Sequence, residues 1–245
     1  MINTIQLGDC YELIKKIPDK SIDLVYVDIP YLMGKGGGNE SELSKRAKKR
    51  NNTLNDADIT NGIDYSIFDE FVRISKYIYI YIWCSRLQIL DIMKYFIEKK
   101  KCNYEILVWC KTNPIPVINN VFLSDLEYCL MFREKGCKLN DDYSLKSKWY
   151  ISPINKVDKD KYNHPTIKPL ELVKRHILHS TQPGDIVLDC FCGSGTTCVA
   201  CKETDRRYIG MEIDPTYHKI AVDRLNGITA NGQTSIFTDF DNLGE

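Results

Sequence analysis

Residues Asp189 to Thr197 read Asp-Cys-Phe-Cys-Gly-Ser-Gly-Thr-Thr, preceded by the apolar run Ile186-Val-Leu188 and followed further on by Arg207-Tyr-Ile-Gly-Met-Glu-Ile-Asp-Pro215. The apolar run is short and β-branched, as buried strands are, and a helix-compatible stretch leaves the glycines. The glycines therefore sit on a strand-to-helix turn of a nucleotide-binding α/β sheet. A dinucleotide loop would carry G-x-G-x-x-G, its second glycine making room for a pyrophosphate and its third for close helix packing. Here the third position is Cys198, so this turn alone leaves the ligand open. Glu212, ending the next apolar run, suits ribose hydroxyls in either cofactor class.

Far upstream, Asp28-Ile-Pro-Tyr31 closes the run Ile22-Asp-Leu-Val-Tyr-Val27, which also reads as a buried strand. These four residues then lie at its carboxyl end, the edge where open α/β sheets bind ligands. A lone Asp-x-Pro-Tyr is an ordinary strand-ending turn with a proline stop. Beside the glycine turn it becomes a candidate site.

The pair resembles the amino-group DNA methyltransferases, which methylate adenine N6 or cytosine N4. Their catalytic tetrapeptide has Asp, Asn or Ser first, then Pro-Pro, then an aromatic; their cofactor loop reads Phe-x-Gly-x-Gly, as Phe191, Gly193 and Gly195 do here. Catalytic motif before cofactor motif is similar to the circularly permuted β group of that family. Gly8-Asp9-Cys10 resembles the segment that contacts the cofactor adenine, and His164-Pro-Thr-Ile-Lys-Pro169 the His-Pro-Thr-x-Lys-Pro segment near the methionine end. Trp109-Cys-Lys111-Thr-Asn113 and Leu126-Glu127-Tyr128 look like the sheet strands that follow the catalytic motif.

This resemblance implies a doubly wound, mostly parallel twisted α/β sheet of the Rossmann-like methyltransferase type, with S-adenosylmethionine as cofactor and double-stranded DNA as partner. It assigns catalysis to Asp28, Ile29, Pro30 and Tyr31, and cofactor binding to Asp9, Cys10, Thr166, Lys168, Asp189, Phe191, Gly193, Gly195, Thr196 and Glu212. Ile29 departs from the family's proline, yet keeps the backbone carbonyl that the position contributes, and Pro30 biases it toward an extended conformation. Asp28 carboxylate and the Ile29 carbonyl would accept from an exocyclic amine, directing its lone pair at the methyl, by positioning and electrostatics without a covalent enzyme intermediate. Tyr31 would stack on a base extruded from the duplex, offsetting an unstacking cost of roughly a few kcal/mol. Aspartate in first place points to adenine N6. Cytosine N4, an RNA or protein amide, and an inactive DNA-binding regulator stand as alternatives. Cytosine C5 chemistry would need a Pro-Cys nucleophile, and no proline here precedes a cysteine.

The formal net charge over 245 residues is zero, so any attraction to DNA must be local. Lys45, Arg46, Lys48, Lys49 and Arg50 cluster in a long polar segment, 32–62, which begins near Gly34-Lys-Gly-Gly-Gly38 and directly follows the tetrapeptide. A loop of that length is usually functional or disordered, and this one is placed to close over DNA with its cations on phosphate. Lys111 is a further candidate phosphate contact. The stretch 133–163 mixes Lys138, Lys146, Lys148 and Lys156 with Trp149 and Tyr150, as a short target-recognition element would. Relatives of the permuted group are often dimers, so the resemblance allows a homodimer, although no stretch of the sequence identifies an interface. Nothing resembles a nuclease motif, which makes any restriction endonuclease partner a separate chain.

Ten cysteines invite a metal reading, but Cys190-Phe-Cys192 flanks an aromatic on the turn, and Cys198 and Cys201 fall one turn apart inside a helix that needs small residues. Structural thiols and no metal are expected. No apolar stretch reaches bilayer length and no signal peptide follows Met1, so the expected location is cytoplasmic, without disulfides. The run Tyr77-Ile-Tyr-Ile-Tyr-Ile-Trp83 predicts a central strand covered on both faces, and Ile106–Trp109 and Tyr128–Phe132 continue the sheet. Pro169 opens a helix with Leu170, Val173 and Ile177 on one face, and Asp214-Pro215 caps another. His164 shapes the cofactor pocket, whereas His176, His179 and His218 are expected on helix surfaces. The whole is one domain, 1–245, whose sheet is completed from both chain ends.

Overall fold

The computed structural model describes residues 1–32, 62–114, 116, 122–137, 139–164, 166–230 and 232. The basic cluster 45–50 lies outside the described residues. Among the described residues eight strands form one sheet: β1 (Thr4–Leu7), β2 (Leu24–Asp28), β3 (Tyr79–Cys84), β4 (Asn103–Lys111), β5 (Leu126–Arg133), β6 (Trp149–Ser152), β7 (Ile186–Asp189) and β8 (Arg207–Glu212). Their order is β1-β8-β7-β2-β3-β5-β4-β6. Every neighbouring pair is parallel except the two that β5 makes with β3 and β4. The two chain ends do complete the sheet, since β1 runs beside β8 with Leu7 opposite Glu212.

Period-two alternation makes two separate cores, one on each face. Along β3, Tyr79, Tyr81 and Trp83 point one way and Ile80, Ile82 and Cys84 the other, and all six are buried. The isoleucine face is covered by α1 (Cys10–Leu13), α2 (Ile67–Ile74) and α3 (Ile89–Met93), the last running on as a π turn to Lys99. In α2 the buried residues Ile67, Phe68, Phe71 and Ile74 recur at helical spacing, and Phe68 packs its ring against Phe71, Tyr95 and Phe96. The tyrosine face is covered by α5 (Leu170–Ser180), α6 (Thr196–Glu203) and α7 (Pro215–Leu225). Asp214 caps α7 by accepting from Thr216 and Tyr217 N–H at 2.7 and 3.0 Å, with Pro215 at the first turn as the sequence suggests.

Two sequence expectations change in detail. The polar stretch 133–163 contributes a strand, β6, which pairs in parallel with β4, and a short helix, α4 (Lys156–Tyr162). His176 is not on a helix surface. Helical phase sets it beside Leu172, Val173 and Ile177, and it is 4% exposed. Its ring stacks on Tyr81 with centroids 5.2 Å apart, and Nδ1 meets the Tyr26 hydroxyl at 3.1 Å, which in turn accepts from Trp83 Nε1 at 2.9 Å. His179 and His218 are half-buried.

The cysteines are free thiols, and those at 190, 192, 198 and 201 are buried in the core. Two of them, Cys192 and Cys198, fill space that a glycine leaves. A Cβ on Gly210 in β8 would stand 2.9 Å from both Cys198 Sγ and Ile5 Cγ1, and 3.4 Å from Cys192 Sγ. Among the described residues no helix is long and apolar enough to cross a membrane.

Burial, with Arg175 and His179 nearby, pushes His176 from the usual 6.5 down to about 3. A depressed folded value means that its stability contribution is complete above 6.5 and lost as pH falls toward 3, because only the unfolded chain then takes the proton. By pH 5 the loss is about 2 kcal/mol. Urea unfolding should therefore show His176→Gln losing about 2 kcal/mol less than the parent chain between pH 7 and pH 5. Equal losses would mean that the imidazole is already protonated in the folded state.

Candidate active site

The carboxyl ends of β1, β8, β7 and β2 open on one edge, and each delivers a residue singled out in the sequence. Asp189 ends β7 and accepts from Thr197 Oγ1 at 2.5 Å and from Phe191 N–H at 3.1 Å. Glu212 ends β8 and accepts from Gly193 N–H at 2.8 Å and Asp214 N–H at 2.9 Å. Gly8 N–H bonds Glu212 O at 2.9 Å, which brings Asp9 and Cys10 alongside. Asp9 is exposed and caps α1 through Tyr11 N–H, whereas the Cys10 thiol turns into the core, where burial raises it to about 12.

The turn itself is fixed by conformation and by one buried cation. Gly195 caps α6 at φ +77°, and a Cβ there would sit 3.0 Å from Ala221 Cβ. Arg224 of α7 reaches in to donate to Ser194 O and Thr196 Oγ1, with its guanidinium 4.9 Å over the Tyr162 ring of α4. His164 lies on the other side, its Nε2 3.4 Å from where a Gly193 Cβ would be, and accepts from Thr166 N–H at Nδ1. Burial lowers His164 to about 4 and raises Asp189 to about 7. At neutral pH the imidazole is uncharged, and Arg224 is spent on the turn's own oxygens.

Asp28 ends β2 with Trp83 opposite. The Ile29 N–H bonds Trp83 O at 3.2 Å, and the Ile29 side chain is buried in the core, where an aliphatic chain contributes roughly 1.5–3 kcal/mol. The isoleucine that departs from the family pattern thus fills the core below the site. Gln88, fully buried, donates to Pro30 O at 3.0 Å and accepts from Ser85 N–H, pinning the turn.

Around Asp28 the structure assembles a chain of alternating charges. Lys168 Nζ stands 2.5 Å from Asp28 Oδ2 and 3.0 Å from Glu127 Oε2, and Lys111 Nζ stands 2.6 Å from Glu127 Oε1. Tyr31 OH is 3.3 Å from both Glu127 Oε2 and Lys168 Nζ. Lys168, Lys111 and Glu127 side chains are 10%, 15% and 19% exposed, so each depends on its partners; stranding one such charge would cost about 3–5 kcal/mol. Burial raises Glu127, but the two lysines more than reverse this and hold it at about 2. Lys168 loses some basicity to burial and regains more from its two carboxylates. For Asp28 burial prevails over Lys168 and its carboxyl is raised. Asp28 Oδ1 is buried and accepts no hydrogen bond from the described residues.

The sequence-chosen residues thus fall into two adjoining groups. Asp28, Tyr31 and Lys168 come together with Glu127 and Lys111, and Asp9, Asp189, Phe191, Gly193, Gly195, Thr196 and Glu212 line the glycine turn. Thr166 is exposed beside His164. Lys111, a candidate phosphate contact, has its ammonium on Glu127 instead of in solvent. Glu127, Gln88 and Arg224 were not singled out. Glu127 offered one signal, a carboxylate inside an otherwise apolar strand; Gln88 and Arg224 offered none.

Because Gly195 needs a positive φ and has no room for a methyl, Gly195→Ala should destabilise the fold by about 1–2 kcal/mol. Urea denaturation measures this. A variant as stable as the parent would mean that the turn is free to rearrange.

Comparison with known proteins gives the family. A family described as DNA methylase matches residues 22–223. The type II methyltransferase M.HinfI of Haemophilus influenzae is 29% identical across 94% of this chain and 70% of its own length. M2.DpnII of Streptococcus pneumoniae is likewise 29% identical, covering 89% of this chain and 87% of its own. Among solved structures, an M1.HpyAVI–SAM complex superposes with a TM-score of 0.67 at 26% identity, over 91% of this chain and 98% of that one. The PvuII cytosine-N4-specific DNA methyltransferase, 18% identical with a TM-score of 0.66 over 90% of this chain and 85% of that one, shares the fold. With the Asp28 turn and the glycine turn set side by side on one sheet edge, this chain belongs to the amino-group, N6 or N4, DNA methylase family.

Proposed function

We propose that this chain transfers a methyl group from S-adenosylmethionine to the N6 amino group of an adenine flipped out of double-stranded DNA. The observation that carries the reading is Asp28 Oδ1, a buried acceptor with no donor among the described residues, whose sister oxygen is already held by Lys168. An exocyclic amine brings the N–H that this oxygen lacks. Aspartate at the head of the tetrapeptide, as in adenine-methylating relatives, supports N6 over N4.

The glycine turn fits S-adenosylmethionine by the sign of its charge. Glu212 bonds the turn at Gly193, Asp9 and Asp214 lie next to Glu212, His164 is neutral, and Arg224 is turned onto Ser194 and Thr196. A pyrophosphate would meet the wrong sign, whereas a ligand with a cationic sulfur meets the right one. When bound, that cofactor supplies an electrophilic methyl, and its C–S bond breaks as the N–C bond forms. Glu212 would accept from ribose hydroxyls, Asp9 from the adenine amino group, and Phe191 would flank the adenine ring. Asp28 Oδ1 orients the target nitrogen's lone pair, stabilises the positive charge that develops there, and stands where the departing proton leaves. Tyr31 offers a ring face for the extruded base. The cations at 45–50 would contact phosphate.

Incubation with labelled S-adenosylmethionine and unmethylated duplex DNA, digested to nucleosides, should give N6-methyladenine. N4-methylcytosine alone would overturn the choice of base, and no transfer to DNA would overturn the function. Asp28→Ala should lower the rate on the order of a thousandfold while cofactor affinity, read by calorimetry, changes little. Replacing Lys45, Arg46, Lys48, Lys49 and Arg50 by glutamine should flatten the salt dependence of DNA binding by up to about 0.9 in log–log slope for each phosphate no longer neutralised. An unchanged slope would make the segment a spacer.

A further inference from the structure

We propose that Glu127 is a positioning residue for the methyl-transfer step: by sharing the Lys168 ammonium with Asp28, it holds Asp28 Oδ2 on the lysine, keeps Oδ1 free for the target amine, and stops Lys168 from neutralising the carboxylate outright. The inference rests on the methyl-transfer reading for its purpose, but the arrangement stands in the protein alone. The linkage runs Asp28, Lys168, Glu127, Lys111, at 2.5, 3.0 and 2.6 Å in turn, and Glu127 binds a different lysine with each oxygen. A lysine paired only with Asp28 would quench the negative charge that must stabilise the developing cation. One divided between two carboxylates leaves a net negative field at Oδ1. Lys111 then limits how strongly Glu127 competes, and Tyr31 OH, 3.3 Å from both Glu127 and Lys168, ties the base-stacking ring to the same network.

Among the described residues no other carboxylate shares Lys168 with Asp28. Apart from Lys168, Glu127 and Tyr31, the titratable neighbours among the described residues are Tyr26 on β2, Cys84 on β3, Cys129 on β5 and Asp189 on β7. Burial holds the tyrosines and both thiols in their neutral forms at physiological pH, Cys84 rising to about 12. Lys168 is the cation that meets Asp28, and Glu127 is the group that divides it.

Alternation of charge gives a test with alternating sign. In protein labelled at the aspartate carboxyl carbon, NMR titration follows Asp28, its signal identified by loss in Asp28→Asn. Lys168→Met should move the Asp28 midpoint up by about one to three pH units. Glu127→Gln should move it down by about one unit, since a like charge is removed and Lys168 turns fully to Asp28. Lys111→Met should move it up again, by less. Loss of structure would not reverse sign at each step. If Lys168→Met fails to fold, Glu127→Gln and Lys111→Met still demand opposite shifts. A Glu127→Gln midpoint that stays or rises would overturn the proposal, as would a downward shift in Lys111→Met. In the same variants the acid limb of the methylation rate should follow each midpoint. A parent chain that titrates as described but transfers no methyl would overturn the methyl-transfer reading alone; one that transfers methyl while the signs fail would overturn the role of Glu127 alone.

Discussion

The site exists because β2 lies in register between β7 and β3. Leu24 and Val25 pair with Val187 and Leu188, more than 160 positions away in sequence, and this short seam sets Asp28 beside the turn that begins at Asp189. On its other side Val25 to Asp28 run against Ile80 to Trp83. Loop closure over such a span costs entropy that local contacts cannot offset, so the seam must be held from both faces of the sheet. It is: Leu24 and Val25 are fully buried, one in each core. Parallel pairing then does the rest, because it sends the carboxyl ends of β1, β8, β7, β2 and β3 to the same edge, where antiparallel β5 brings its amino end and Glu127.

On that edge two kinds of electrostatics operate a few residues apart. Around the glycine turn, backbone N–H groups satisfy the carboxylates: Phe191 serves Asp189, and Gly193 and Asp214 serve Glu212. Around Asp28 the partners are ammonium groups, and charge is balanced by counting ions. The first arrangement fixes loop shape while leaving an acidic rim. The second fixes the charge and direction of a single oxygen. The proposed methyl transfer would use both, a rim that tolerates positive charge and one acceptor for the target amine.

Much of this was legible in the sequence because period and punctuation agree. The glycine turn and the Asp28 turn each combine an apolar run with a breaker at its end and appear where that pattern places them, while the central strand, legible from its alternation alone, runs from Tyr79 to Cys84, two residues later at its start than the run suggests. Asp214-Pro215 reads as a helix start and is one. What escaped was decided by tertiary phase. His176 is polar, and only packing shows that it shares a face with Val173 and Ile177 against Tyr26 and Tyr81. Glu127 and Lys168 lie 41 positions apart, and nothing local signals that they compete for the same neighbour. Arg224 looked like an ordinary basic residue near a helix end, yet it is 6% exposed and holds the turn from behind. Sequence period reveals which face a residue takes, but not which distant side chain shares that face.

The packing around Gly210 carries a consequence for how such a chain diverges. Ile5 from the first strand, Cys192 from the glycine turn and Cys198 from the helix behind it all converge on the space where a Cβ would be. A side chain at position 210 would require shrinkage at Ile5, Cys192 or Cys198, so these positions are coupled through one volume. A missing glycine in the dinucleotide pattern and an unusual supply of small thiols are then two sides of one volume constraint. Descendants of this chain would keep that shared volume while exchanging which residue fills it.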